Sequence, residues 1–348
     1  MRMKELGRTG IEVSTYCLGT MTWGTQTRSS EAHKQIDAAL EHGINFLDTA
    51  EMYPTNPVKE ETIGRTERII GLWLEKSRGH RSEVVIATKH SGEGMKHVRE
   101  GAPITAQSIP EEIEGALRRL KTDYIDLYQF HWPNRGSYHF RKNWSYDPSG
   151  QDPKAVIENM QECLLALEKE RKRGTIRAFG LSNETAWGMA QWLRLAENGG
   201  WLRAATIQNE YSLLCRGFDT DLAELCLNED VGLMAFSPLA TGLLTGKYQG
   251  RAKPAGSRIT VSPELGGRKT KRAFAAVDEY LDIAFKYDLD PVHMALAWVE
   301  QRPFTTSVIF GATTQAQLKH VLAGRDLKLG EEVLNELDEV HKAHPMPF

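Results

Sequence analysis

The sequence predicts an α/β chain folded as a (β/α)8 TIM barrel, and three observations carry that reading. Short β-type apolar runs alternate with longer amphipathic stretches from end to end. The strand candidates number eight, at fairly regular spacing, and none is followed by the Gly-x-Gly-x-x-Gly turn of a doubly wound dinucleotide fold. The nearest glycine clusters fail that test. Gly92-Glu93-Gly94 lacks a third glycine, and Gly242 to Lys247 is one residue short of a phosphate loop and lacks its hydroxyl residue. Length alone leaves one large domain or two ordinary ones open, and a barrel accounts for residues 1–348 as one.

The elements follow in order. Residues 2–14 hold two short alternating runs around the turn Arg8-Thr9-Gly10, which predicts an N-terminal β-hairpin capping the barrel. The expected strands are Thr15–Gly19, Ile44–Asp48, Val84–Lys89, Tyr124–His131, Ile176–Leu181, Ala204–Gln208, Gly232–Phe236 and Ser307–Phe310. Between them the expected helices are Ser30–His42, Thr66–Lys76, Ser108–Leu120, Lys154–Lys172, Thr185–Glu197, Phe218–Leu227 and Thr314–Ala323. The fourth is the clearest: Val156, Met160, Cys163, Leu164 and Leu167 recur at helical spacing, and Gly174 supplies the stop. Three loops are long, at His90–Gln107, Trp132–Asp152 and Ser237–Lys269, which marks them as functional or mobile. Arg272–Asp288 reads as an additional helix and Pro291–Glu300 as the helix before the last strand. Glu331–Lys342 is an extra C-terminal helix packed outside.

Composition narrows the function. Against 43 Lys and Arg stand 46 Asp and Glu, a net charge of −3, so no global basic field is present to hold nucleic acid. Cys17, Cys163, Cys215 and Cys226 are far apart and form no CxxC pair, which argues for a reducing compartment without a disulfide framework. The N-terminus has positive charge but no apolar segment behind it, and no apolar run could span a bilayer. The expected protein is cytoplasmic, with no membrane partner.

In a barrel of this class, chemistry sits at the C-terminal strand ends. The second strand closes with Asp48 and leads to Tyr53, the third ends at Lys89 and the fourth at His131. A lysine at an inner strand end is costly to desolvate unless a carboxylate pairs with it, and Asp48 is the partner. Lysine beside a phenol is expected to favour the phenolate and lower the Tyr53 pKa, while His131 can hydrogen-bond a carbonyl. Singly, each of these residues reads as a cap or a satisfied polar group. Their joint occurrence on consecutive strand ends reads as proton transfer to an oxygen gaining negative charge. His80, His90, His97 and His139 show no metal-ligand spacing, so no metal is expected.

These residues belong to longer matching motifs: Gly19-Thr20-Met21-Thr22-Trp23-Gly24, the run Gly43 to Tyr53, Gly64 to Gly71, Ala87-Thr88-Lys89, Leu117 to Asp126, Gly180-Leu181-Ser182-Asn183, Gln208 to Tyr211, Phe236-Ser237-Pro238-Leu239 and Gly311 to Thr314. In that order, across nearly the whole chain, the sequence resembles the aldo-keto reductase superfamily. Ala50 to Pro54, His131-Trp132-Pro133 and Gly246-Lys247-Tyr248 with Lys253 to Gly256 are most similar to its bacterial Tas-type branch, which is related to potassium-channel β-subunits.

The resemblance implies Tyr53 as general acid, Asp48 and Lys89 as the pair tuning it, and His131 orienting the carbonyl. It also implies a nicotinamide cofactor lying extended across the barrel mouth, NADPH (NADP+) in preference to NADH. Ser182, Asn183 and Gln208 match the carboxamide positions, and Phe236 the aromatic place against the nicotinamide. Ser237, Pro238, Leu239, Gly242 and Lys247 match the loop on the pyrophosphate. Gly311, Thr313 and Gln317 match the adenosine end, and Gly19, Thr20 and Asp48 complete the cofactor set. Arg258 is the candidate for the 2′-phosphate, since an arginine fork grips phosphate, although its register differs from the channel-subunit relatives by about one residue. Arg251 is its rival, and Val321 stands where those relatives carry Asn.

Trp23, Tyr53, His131 and Trp132 are expected to line the substrate pocket, an aromatic wall suited to apolar or aromatic carbonyl compounds. Phe140 and Tyr146 are expected to close the loop onto the barrel instead. The resulting expectation is a carbonyl reductase acting on a small molecule. The alternative is an NADPH-binding regulatory subunit or redox sensor with little turnover, against which His131 and the complete tetrad speak. A hydrolase using Asp48 and Glu51 is a remote third reading. Oligomeric state is not legible.

Overall fold

The computed structural model describes residues 1–77 and 80–348, and eight parallel strands in it close into a barrel. A hairpin comes first: β1 (Met3–Glu5) pairs antiparallel with β2 (Glu12–Ser14), Lys4 opposite Val13. The barrel strands are β3 (Tyr16–Gly19), β4 (Phe46–Asp48), β5 (Val85–His90), β6 (Ile125–Phe130), β7 (Ile176–Ser182), β8 (Ala204–Glu210), β9 (Gly232–Phe236) and β10 (Thr305–Phe310), which pairs with both β9 and β3. Each coincides with an expected strand to within a few residues.

The barrel helices are α1 (Ser29–Glu41), α2 (Arg65–Lys76), α3 (Ser108–Leu120), α4 (Pro153–Arg173), α5 (Ala186–Gly199) and α6 (Asp221–Asn228). Between β9 and β10 the chain adds a four-residue turn of helix, α7 (Arg258–Val261), and α8 (Lys271–Lys286) before α9 (Pro291–Glu300). After β10 come α10 (Gln315–Ala323) and α11 (Glu331–Ala343), the latter lying against α8. Local chemistry explains the ends. Asp152 accepts from the N–H groups of Lys154 and Ala155 to start α4, and Gly174 at φ 81° stops it.

Strand periodicity sets up the site. Side chains alternate between lumen and helix layer, so Phe46, Ala87 and Leu127 point inward and form one lumen cluster with Cys17, Val85, Ala178, Met234 and Ile309. Two residues further along β4, β5 and β6 the same face carries Asp48, Lys89 and Gln129. Leu6, Ile11 and Val13 from the hairpin region join the lumen cluster at its lower end, as the capping expectation requires. Tyr16, Leu18, Leu47, Ile86 and Tyr128 face outward, into the larger core under the helices.

Candidate active site

At the C-terminal mouth, β4 and β5 bring Asp48 and Lys89 together. Lys89 Nζ donates to Asp48 Oδ2 at 2.7 Å and to the Thr49 carbonyl at 2.8 Å, and both side chains are buried. The other carboxylate oxygen accepts from Gln208 Nε2 at 2.8 Å, and the Asp48 carbonyl accepts from Thr20 Oγ1 at 2.8 Å. A buried carboxylate with both oxygens occupied is an anchored counter-charge. It leaves the Lys89 ammonium facing Tyr53, 5.0 Å from the ring centre. His131 stands edge-on to Tyr53, with 5.8 Å between ring centres.

Burial decides the protonation states. It pushes the Tyr53 phenol above its ordinary value, and the neighbouring Lys89 ammonium does not offset it. The expected lowering of the Tyr53 pKa is thus corrected: loss of solvent around the phenolate outweighs the attraction. The Lys89 ammonium is itself held above its ordinary value, because Asp48 and Tyr53 overcome the burial that opposes its charge. Burial, reinforced by Lys89, holds His131 well below the ordinary imidazole range, so its ring is neutral. Its Nδ1 is buried without a hydrogen-bond partner among the described residues.

Above these groups opens a cleft of about 1000 Å³, lined by Tyr53, His131 and Trp132. Every residue expected to hold cofactor lines it too: Gly19, Thr20, Asp48, Ser182, Asn183, Gln208, Phe236, Ser237, Pro238, Leu239, Gly242, Lys247, Arg258, Gly311, Thr313 and Gln317. Asn183 spends its Nδ2 on the His131 carbonyl and on Ser182 Oγ, at 2.9 and 3.0 Å. Its Oδ1 is left buried without a donor among the described residues. An orphaned acceptor in a cleft wall fits an amide N–H of a ligand such as nicotinamide.

Further along the cleft, Lys247 and Arg258 bring two cations, and among the described residues neither forms an ion pair. Burial lowers the pKa of both, and Arg258 depresses Lys247 further. Gly242, at φ 96°, lets Lys247 lie across its loop, since a Cβ there would come within 2.9 Å of Lys247 Cε. Two partly desolvated cations without counter-charge fit an anionic ligand. Gln317 Oε1 accepts from both the backbone N–H and the hydroxyl of Thr313. Arg251 is exposed and does not line the cleft, which separates it from Arg258.

Two expectations need correction. Trp23 is not a pocket residue: it is fully buried, with Nε1 donating to Gln35 of α1 at 3.1 Å. The turn after β3 directs its side chain into the helix layer and leaves Met21 on the cleft. Phe140 does line the cleft, half exposed and edge-on to Trp132 at 6.2 Å. Tyr146 instead accepts from Gln151 within its own loop. Met52, Met95, Asn56, Lys142 and Arg268 also line the cleft. They are spread over four loops with no shared motif, Met52 and Asn56 on the one between β4 and α2, and the aromatic run of 132–152 was the one sequence signal for Phe140. Glu51 is absent from the cleft and bound by Arg99 and the Ser91 N–H, so it forms no carboxylate pair with Asp48.

The sequence model described as the aldo/keto reductase family matches residues 16–342. "Protein tas" of Escherichia coli is 43% identical over an alignment covering 100% of this chain and 99% of that protein. "Uncharacterized oxidoreductase YrpG" of Bacillus subtilis is 31% identical, covering 98% and 96%. A "probable voltage-gated potassium channel subunit beta" of Arabidopsis thaliana is 29% identical, covering 99% and 98%.

Proposed function

The chain belongs to the aldo/keto reductase family and is an oxidoreductase, and from that premise we propose that it reduces aldehydes or ketones to alcohols with NADPH. One observation carries the reading: Asp48, Tyr53 and His131 line one cleft, with Lys89 buried behind them, paired with Asp48 and facing the Tyr53 ring. NADPH, when bound, supplies hydride to the carbonyl carbon. Ser182, Asn183 and Gln208 would hold its carboxamide end, and Phe236 would pack beside them. His131, neutral and close to Tyr53, donates a hydrogen bond that orients the carbonyl oxygen. Tyr53 then delivers its phenolic proton to that oxygen, and the Lys89 ammonium, fixed by Asp48, stabilises the phenolate left behind.

Lys247 and Arg258 support a dinucleotide with an extra phosphate, because they bring more positive charge than the surrounding chain neutralises. Arg258→Ala is expected to weaken NADPH binding about 10- to 100-fold and NADH binding little, as for loss of a charged hydrogen bond. Fluorescence titration with both cofactors measures the difference. Tyr53→Phe is expected to lower turnover on an aldehyde and ketone panel by about 10²- to 10⁴-fold with NADPH affinity unchanged. Wild-type turnover in that variant would remove Tyr53 from the chemistry. Negligible turnover by the wild-type protein across the panel, with tight NADPH binding, would favour the regulatory-subunit alternative.

A further inference from the structure

Away from the tetrad, α9 and α10 meet through three side chains with electron pairs to offer. Asp290 caps α9: its Oδ1 accepts from the N–H groups of Val292 and His293 at 2.8 and 3.1 Å. The remaining oxygen, Oδ2, faces His320 Nε2 on α10 at 2.9 Å. His293 Nε2 lies 2.6 Å from the His320 carbonyl. A carbonyl only accepts, so Nε2 carries a proton, and in the neutral ring Nδ1 holds the lone pair. That Nδ1 is 4.0 Å from Asp290 Oδ1, and no donor reaches it among the described residues.

In the neutral ring that lone pair is turned toward a carboxylate, an arrangement that either a proton or a metal ion relieves. The ligand atoms of all three residues lie within 4.8 Å of one another, close enough for small side-chain torsions to bring them onto one ion. Second contacts hold Asp290 and His293 in place, the latter as at metal centres whose imidazoles donate their other N–H to a backbone carbonyl. The His293 ring is further confined by Gly324, where a Cβ would come within 2.2 Å of the ring.

We propose that Asp290 Oδ2, His293 Nδ1 and His320 Nε2 bind a borderline first-row divalent cation such as Zn2+, with a further position open to water. Two imidazoles and one carboxylate favour such an ion over Mg2+ or Ca2+, which take oxygen ligands. The proton between His320 and Asp290 leaves to solvent as the ion enters. The bound ion ties α9 to α10 at the cleft edge, where Asp290 and His320 stand with Gln317. This site is independent of the reductase reading.

Tag-free protein titrated with Zn2+ against a chromophoric chelator is expected to take up one equivalent, and saturating Zn2+ to raise the melting temperature. Mg2+ at the same concentration does neither. His320→Ala and His293→Gln are expected to lose both effects, whereas His97→Ala, an exposed histidine elsewhere, keeps them. Asp290→Asn retains a helix-capping oxygen while removing the charge, so its loss of uptake separates ligation from helix integrity. Uptake that persists in all three site variants, or no uptake by the wild-type protein, overturns the proposal.

Discussion

At Tyr53, burial opposes the ammonium beside it, and burial wins. At His131 burial and Lys89 act in the same direction, toward the neutral ring. The free protein therefore holds a proton on the phenol and one fewer on the imidazole across the neutral range. In the proposed reduction, which draws its proton from Tyr53, a raised phenol pKa extends activity upward in pH, and a depressed imidazole pKa removes the usual inflection from below. The kcat/KM for carbonyl reduction is expected to stay flat from about pH 6 to about pH 9, falling only as Tyr53 deprotonates. A steep inflection near the ordinary histidine value would show that His131 titrates in the free protein. The sequence juxtaposed these four groups correctly but carried the wrong sign for Tyr53. Residue types show which charges are near, whereas the degree of desolvation depends on loops folded over the phenol.

Among the elements, two of the three long loops are fastened to the barrel at one point. Glu210, at the end of β8, is buried between Arg141 of the 132–152 loop and Arg268 of the 237–269 loop. Arg268 binds it through Nε and Nη2 at 2.7 and 2.8 Å, and Arg141 adds a second fork. Phe348 lies over both guanidinium groups. The clamp joins the stretch bearing Phe140 and Lys142 to the stretch bearing Lys247 and Arg258. Against the burial that opposes its charge, the two arginines lower the Glu210 carboxyl from 4.5 to about 2. A depressed folded value gives stability that is present above the ordinary carboxyl pKa and lost as pH falls toward 2. That contribution is at most about 3 kcal/mol, since desolvating the arginines offsets part of it. Glu210→Gln is expected to lose this acid-dependent part of the unfolding curve and to expose both loops to limited proteolysis. An acid-unfolding profile matching the wild type would rule out the clamp. The sequence carries no signal for this clamp, because its three residues lie far apart and share no motif.

Over the whole molecule, legibility follows the physics of each part. The eight strands and their helices were readable because parallel strands covered on both faces leave short apolar runs, and their spacing is local. The cleft-lining residues proposed for the cofactor were readable as candidates through contiguous motifs at strand ends. Trp23 was misplaced although its motif was seen, because whether that side chain faces cleft or helix layer is decided by Gln35 of α1. The hairpin was foreseen as a cap, and the structure adds its mechanical role: Leu6, Ile11 and Val13 fill the lower lumen against Phe46, Val85 and Met234. The volume filled there serves the barrel, whereas Asp48, Tyr53, Lys89 and His131 stand toward the opposite strand ends. Leu6→Ala leaves a cavity in a region that cannot collapse without shifting strands. It is expected to cost about 2–5 kcal/mol in chemical denaturation while KM and kcat stay at wild-type values under folding conditions. A loss of turnover larger than the loss of folded protein would mean that the plug reaches the site through the lumen side chains, and the division between a structural floor and a chemical mouth would fail.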